Sequence, residues 1–472
     1  MSDFFLSLSR SHIARTVVKQ TGIPIPLPQN LRRQRAPWQH ATLVGRNIAL
    51  GSLQSVASDK SARLSTVEAE LSAALLDAGA NLSGEPTHLQ GLVFDATNIS
   101  SPESLHALYE FFHHRIGTLT PCAHILIVGR AVKTQSVAAA TQEALSGFVR
   151  SLAKELGGRG ITVNLLLLPA SGEHAGLTNL GVNGVIRYLL SDHGSFVTGQ
   201  VLHLQDRQYL KSDSLLQRFE NLLEGRTILV TGAAQGIGAA IARRVAAEGA
   251  KVLLLDRPEE LKALEAMARE VQGLAMPIDL LQPDAVATTV KKLRELAPIH
   301  GVVHNAGITR DKTLFKMNRQ KWDSVLRLNF EIPVAITEMV TGKDHDFICA
   351  KDASFVYLSS VGGIAGNPGQ TNYAASKAGL IGYVKALASA QDNNSAHVAR
   401  GRFNCVAPGF IETRMTEAMP LAVREVARRF NSLKQAGEPD DVAQAVTFLL
   451  SDAAMAINGE TLRVCGQNFV GQ

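Results

Sequence analysis

Cysteine is scarce: the 472-residue chain holds four, Cys122, Cys349, Cys405 and Cys465, with no CxxC spacing and no neighbouring histidine pair. That excludes a disulfide framework and a zinc site, so no metal is expected, and it fits a reducing cytoplasm. Aromatic residues are few, at 5%, yet hydrophobic residues reach 46% against 19% charged, which is not the balance of a disordered chain. No uncharged apolar run opens the sequence, because Arg10, His12, Arg15 and Lys19 follow Phe4–Leu8 closely. Neither a secretory leader nor a membrane span fits, so a soluble, unprocessed protein with no membrane partner is expected. The net charge is only +5, and basic residues gather locally at Arg32, Arg33 and Arg35 rather than along a periodic face. Nucleic acid is therefore not an expected partner.

A chain of this length exceeds one ordinary core, and two domains of similar size are the simplest division. Residues 1–40, rich in proline and arginine toward their end, read as an extended lead-in. Over 41–205, strand-like runs (Leu43–Val44, Gly91–Phe94, His124–Val128, Ile161–Leu168, Gln200–Leu204) alternate with helical stretches. That alternation predicts a parallel α/β sheet. Residues 206–224 are polar and predict a linker. From 225 to 472 the alternation resumes, with strands expected at Thr227–Val230, Lys251–Leu255, Gly301–His304, Phe355–Leu358, Phe403–Val406 and Thr461–Val464.

The halves share segments in the same order: ALSGFVRSLA (144–153) with GLIGYVKALA (379–388), RYLLSD (187–192) with TFLLSD (447–452), and VTGQVLHL with INGETLRV. Two tandem doubly wound parallel-sheet domains, one a duplicate of the other, are expected.

The chemistry concentrates in the second half. Strand TILV runs into TGAAQGIG (231–238) and then a helical stretch, the order that presents a helix N-terminus to a dinucleotide pyrophosphate. Gly232 serves the tight turn, Gly236 and Gly238 the close approach of phosphate and strand, and Gln235 and Ile237 complete the loop. Asp256 lies 18 residues after Gly238, where a carboxylate accepts from both adenosine ribose hydroxyls and repels a 2′-phosphate, so NADH is expected over NADPH. Asp279 reads equally as an adenine contact or a turn former. Small residues of HNAG, Asn305, Ala306 and Gly307, let the backbone lie near a bound ring. Tyr373 and Lys377, four apart on one helix face, follow Ser360 by thirteen residues and more. Tyr373 is the expected proton donor, Lys377 lowers its pKa and holds the ribose, Ser360 donates to the same substrate oxygen, and Asn329 anchors a proton-relay water.

Together TGAAQGIG, HNAG, Asn329, Ser360, YAASK and Pro408-Gly409 resemble the short-chain dehydrogenase/reductases, over about 245 residues. ITRDKTLFKMNRQKW, NPGQTNYAASKAGLIGY and PGFIETRMT resemble the 3-oxoacyl-acyl-carrier-protein reductases, and the length resembles their high-molecular-weight bacterial forms. The resemblance implies a cytoplasmic, dimeric, NADH-using reductase of 3-oxoacyl thioesters on CoA or acyl carrier protein. It also implies catalysis by Ser360, Tyr373, Lys377 and Asn329, and places Pro408, Gly409, Ile411 and Thr413 at the nicotinamide. Two departures are His304, where asparagine is usual, and a longer polar stretch, Ala390–Arg402. A dehydrogenase of another ketone or alcohol, and a non-catalytic NAD(H)-sensing scaffold, are the alternatives. The shared helix sets Gln142 opposite Lys377 and Ala138 opposite Tyr373, and Gly45 and Gly51 are too far apart for the pyrophosphate turn. The first half is therefore expected to be a degenerate copy that stands in for a partner subunit.

Overall fold

A computed structural model of the protein describes residues 3–9, 11, 27–56, 66–82, 88–132, 136–170, 181–205, 219–342, 348–392 and 401–470. Part of the expected lead-in (12–26), most of the expected linker (206–218) and most of the polar Ala390–Arg402 stretch (393–400) lie outside the described residues. The chain forms two units. Unit 1 gathers Met1–Phe219, Met415–Gly437 and Cys465–Phe469; unit 2 gathers Glu220–Arg414, Glu438–Val464 and Val470–Gln472.

Unit 1 carries a six-stranded sheet of β1 (Asn47–Ser52), β2 (Asn81–Leu82), β3 (Leu89–Asp95), β4 (Leu119–Arg130), β5 (Thr162–Leu168) and β6 (Val201–His203), in the order β2-β1-β3-β4-β5-β6. All its pairings are parallel. Strand β5 is buried at every residue, as a central strand covered on both faces must be. Phe94, Phe111, Phe112, Ile125, Leu145 and Val149 share its core. The opening strand differs from the expectation at Leu43–Val44. Those residues form a turn that closes at Gly45 (φ 73°), with Val44 70% exposed, and the strand starts at Asn47.

Unit 2 carries β7 (Thr227–Thr231), β8 (Lys251–Asp256), β9 (Leu274–Pro277), β10 (Ile299–His304), β11 (Cys349–Leu358), β12 (Arg402–Pro408) and β13 (Thr461–Val464). Their order is β13-β12-β11-β10-β7-β8-β9, again all parallel. The order reverses between β7 and β10, and in such sheets the crevice at the strand ends beside the reversal receives ligands. Helix Pro439–Leu450 packs on helix Gly236–Ala247, the helix that follows β7.

Each sheet is closed at the N-terminal edge of its strands by an arginine that precedes its first strand. Arg46 reaches Asp192 (2.8 Å) in unit 1, and Arg226 reaches Asp452 (2.7 Å) and Asp352 (3.0 Å) in unit 2. Asp192 and Asp452 end the RYLLSD and TFLLSD segments.

In unit 2 the centre of the core is a stacked pair, Phe355 on β11 and Phe403 on β12, with ring centroids 4.9 Å apart and both side chains buried. Phe355→Ala is expected to cost about 3–5 kcal/mol of unfolding free energy. Chemical denaturation reads it, and a loss below about 1 kcal/mol would contradict this packing.

Candidate active site

The end of β7 turns at Gly232 (φ 67°), a conformation that glycine adopts without strain. Helix Gly236–Ala247 begins so close that a Cβ on Gly238 would collide with the Gly232 carbonyl. Its N-cap residue, Gln235, makes no side-chain capping bond, so the first turn presents backbone N–H groups and the positive end of the helix dipole. The Asn305 amide, at the end of β10, donates to the carbonyls of Thr231 (2.9 Å) and Gly232 (3.1 Å). Thr231 Oγ1 accepts from the backbone of Asn305 and Ala306, each at 3.0 Å. Thr231 was not singled out from the sequence, although its place before the glycine turn is the signal that would have found it. Asp256 ends β8 with one oxygen accepting from Ala234 N (2.9 Å), which brings the carboxylate to the turn. Asp279 accepts from Leu281 N and Gln282 Nε2, both at 3.0 Å, so its two oxygens hold a local turn.

Ser360 caps the short helix Val361–Ala365, its Oγ accepting from Gly362 N (3.0 Å), and it is hydrogen-bonded to the Tyr373 phenol. Tyr373 and Lys377 lie on helix Thr371–Asp392, with the Lys377 ammonium 5.7 Å from the Tyr373 ring centre. Lys377 Nζ is buried and donates to the Leu358 carbonyl at 2.7 Å. Burial brings its pKa down to about 8. Burial raises that of Tyr373, while the bond from Ser360 opposes the rise and Asp311 adds to it. Asn329 sits in a single π-turn, Arg327–Glu331, with its amide bonded to both backbone groups of Ile308 (2.9 and 3.0 Å) and to Ser376 Oγ (3.2 Å). The side chain is thus committed to protein partners, and its visible role is to hold the Gly307–Ile308 turn against the Lys377 helix. Gly307 faces both: a Cβ there would lie 3.2 Å from Asn329 Oδ1 and 3.4 Å from Lys377 Nζ.

Pro408 ends β12, Gly409 N donates to Val464 O (3.0 Å), and Ile411 is buried. Thr413 follows on the same loop, and Arg414 Nη1 donates to Gln235 Oε1 (3.1 Å), a tie between this loop and the glycine turn that motif reading missed. Ser360, Tyr373, Lys377 and Asn329 are thus linked into one cluster, while Gly232, Gly238, Asn305, Ala306 and Asp256 are linked at the turn.

A family model described as Enoyl-(Acyl carrier protein) reductase matches residues 232–466. A 3-oxoacyl-acyl-carrier-protein reductase, FabG, of Thermotoga maritima is 40% identical over 250 residues, 52% of this chain and 98% of that protein. The chain belongs to the short-chain dehydrogenase/reductase family. An acetoacetyl-CoA reductase of Synechocystis sp. is 39% identical over 246 residues, 52% of this chain and 96% of that protein. Among solved structures, angucycline C-6 ketoreductase LanV with bound NADP covers 52% of this chain and 96% of its own, at 24% identity and a TM-score of 0.47. About half of this short-chain dehydrogenase/reductase is therefore spanned by its relatives. Among the described residues no helix is long and apolar enough to cross a membrane.

His304, which stands where the family usually has asparagine, points into the core. It stacks on Tyr357 (4.8 Å) and its Nε2 lies 3.1 Å from Thr337 Oγ1, which bonds the Tyr357 hydroxyl at 2.7 Å. Burial holds its pKa down at about 3, so the folded protein keeps it neutral. Between its ordinary value and about 3 the unfolded chain binds the extra proton, and the histidine's contribution, complete above about pH 6.5, is lost as pH falls through that window. His304→Asn should therefore gain stability relative to the native chain as pH is lowered from 7 toward 4, read by denaturation at each pH. Parallel curves would contradict the buried neutral imidazole.

Proposed function

We propose that residues 225–472 form a catalytic domain that reduces 3-oxoacyl thioesters, on CoA or acyl carrier protein, to 3-hydroxyacyl thioesters in the cytoplasm. The observation that carries this reading is the Ser360–Tyr373–Lys377 cluster set beside the glycine turn of one parallel sheet. The names of the relatives, a 3-oxoacyl-acyl-carrier-protein reductase and an acetoacetyl-CoA reductase, support the substrate class.

The residues at the turn fit a dinucleotide: backbone and the Asn305 amide leave no room for a side chain at Gly232 or Gly238, and the helix start lacks a side-chain cap. A reduced nicotinamide bound there supplies a hydride. Tyr373 donates its proton to the substrate oxygen, and its raised pKa keeps the phenol protonated and ready to do so at neutral pH. Ser360 donates a hydrogen bond to the same oxygen. Lys377, mostly charged below about pH 8, favours the phenolate left behind and passes a proton back toward it. Asn329 holds the relay's walls in place through Ile308 and Ser376. Asn305, Ala306, Gly307, Pro408, Gly409, Ile411 and Thr413 line the nicotinamide end in this reading.

NADH is the proposed cofactor. Asp256 at the turn meets a 2′-phosphate with like charge, and the neighbouring Arg257 has its guanidinium on Glu260 (2.8 Å).

The first half is read as a degenerate copy without chemistry. A buried asparagine in the penultimate strand of each sheet makes the same two bonds: Asn164 to Val197 O and Gln200 N, Asn404 to Ile457 O and Glu460 N. Gln142, opposite Lys377, spends its amide on Ala96 O, Ile99 O and Arg130 N. Ser52 follows the same Arg-containing strand start as Gly232 and bonds Glu68 (2.7 Å), so no glycine turn opens there. A dimer of such chains would then imitate a tetramer of single-domain reductases.

Tyr373→Phe is expected to lower turnover of acetoacetyl-CoA by roughly 10²- to 10⁴-fold while NADH binding persists. Spectrophotometric oxidation of NADH and NADPH, with acetoacetyl-CoA beside longer thioesters and unrelated ketones, tests the reading. Preference for an unrelated ketone removes the substrate assignment, a higher kcat/KM with NADPH removes the role of Asp256, and binding without any turnover favours a sensor.

A further inference from the structure

The chain leaves unit 2 after Arg414, contributes Met415–Gly437 to unit 1 and returns at Glu438. This segment directly follows the loop that bears Ile411 and Thr413, and Arg414 ties that loop to Gln235 of the glycine turn. Within unit 1 the segment is held at several points. Gln435, fully buried, donates from Nε2 to the Gln29 carbonyl at 2.7 Å. Arg33 Nη2 donates to the Ala436 carbonyl at 3.3 Å, and Arg429 Nη1 donates to the Asp3 carboxylate at 2.7 Å. Ser432 Oγ donates to Gln467 Oε1 (2.7 Å), and Gln467 Nε2 donates in turn to the Arg150 carbonyl (2.8 Å). Gly157, at the end of helix Val137–Leu156, lies so near Ser432 that a Cβ would collide with that residue's backbone carbonyl.

We infer that the first half positions the segment 415–437, and through its chain continuity the Gly409–Arg414 loop, so that Gly157 and Gln435 are positioning residues for cofactor and substrate in the second half. The inference rests on the reductase reading only for the step it affects; the anchoring itself rests on the contacts named. It gives the non-catalytic half a task that an appendage lacks. Three facts converge on it: most of the anchors are buried hydrogen bonds to backbone carbonyls, with the Arg429–Asp3 ion pair beside them, the partners include Gln29, Arg150 and Gly157, far apart in the first half, and they grip one short stretch.

Gly157 supplies a clean probe. Its backbone is right-handed helical (φ −58°), so alanine there brings no backbone strain and by propensity is favourable. Only the collision with Ser432 remains. Gly158, the next residue, has nothing within 4 Å of a would-be Cβ, so Gly158→Ala is the matched control. On the full chain, Gly157→Ala is expected to raise hydrogen exchange in peptides covering 415–437. It should also weaken NADH binding and lower kcat/KM for acetoacetyl-CoA by about tenfold or more, the scale of an ångström-sized misplacement. Gly158→Ala should match the native chain in all three. Native exchange with native kinetics in Gly157→Ala overturns the inference, and so does altered exchange that leaves NADH affinity and kcat/KM unchanged. If the native chain turns over no thioester, the substrate reading fails on its own, and exchange with NADH affinity still decides the anchoring. Should Gly157→Ala not fold, Gln435→Ala, which deletes the bond to the Gln29 carbonyl, is judged by the same outcomes.

Discussion

The site depends on how closely the chain packs where β7 gives way to its helix. The Gly232 carbonyl occupies the space that any side chain at position 238 would need, so the helix can begin directly at the strand's end. That contact sets the free N–H groups of the first turn beside the ends of β7 and β10, the two strands between which the sheet order reverses. Asn305 then fixes the turn from the neighbouring strand through two backbone carbonyls, and Thr231 accepts the return bonds. Substituting a larger residue at 238 would require the helix to withdraw, and with it the uncapped helix start at this switch point.

The proposed reacting groups lie against the buried part of the same sheet. Lys377 reaches the Leu358 carbonyl at the end of β11 from within the core, and the burial that lowers its pKa also removes the water that would screen it from Tyr373. Ser360 does two things with one hydroxyl, capping a short helix and meeting the Tyr373 phenol. The π-turn around Asn329 is the local distortion that lets its amide face Ile308 and Ser376 at once.

Much of this was readable in the sequence because it is local. A glycine turn between a strand and a helix, and a Tyr and Lys one turn apart, are short-range patterns whose geometry the backbone period imposes. The buried strands β5 and β12 were legible as mostly apolar runs despite Asn164 and Asn404 within them. The short edge strand β2 at Asn81–Leu82 carries little apolar pattern and gave no strand expectation of its own. Leu43–Val44 read as a strand because apolarity alone cannot tell a turn from a strand start; the positive φ at Gly45 decides it. The inward turn of His304 was hidden because it depends on Thr337 and Tyr357, and the grip on residues 415–437 because its partners lie hundreds of positions away.

One nicotinamide site, built on the glycine turn of the second half, is proposed to serve the whole chain. Calorimetric titration of NADH into the full-length protein measures this directly. One NADH bound per 472-residue chain is expected. Two would mean that the sheet opened by Asn47–Ser52 binds a dinucleotide without a glycine turn, and none would mean that the Gly232–Gly238 turn does not hold one; either would contradict it.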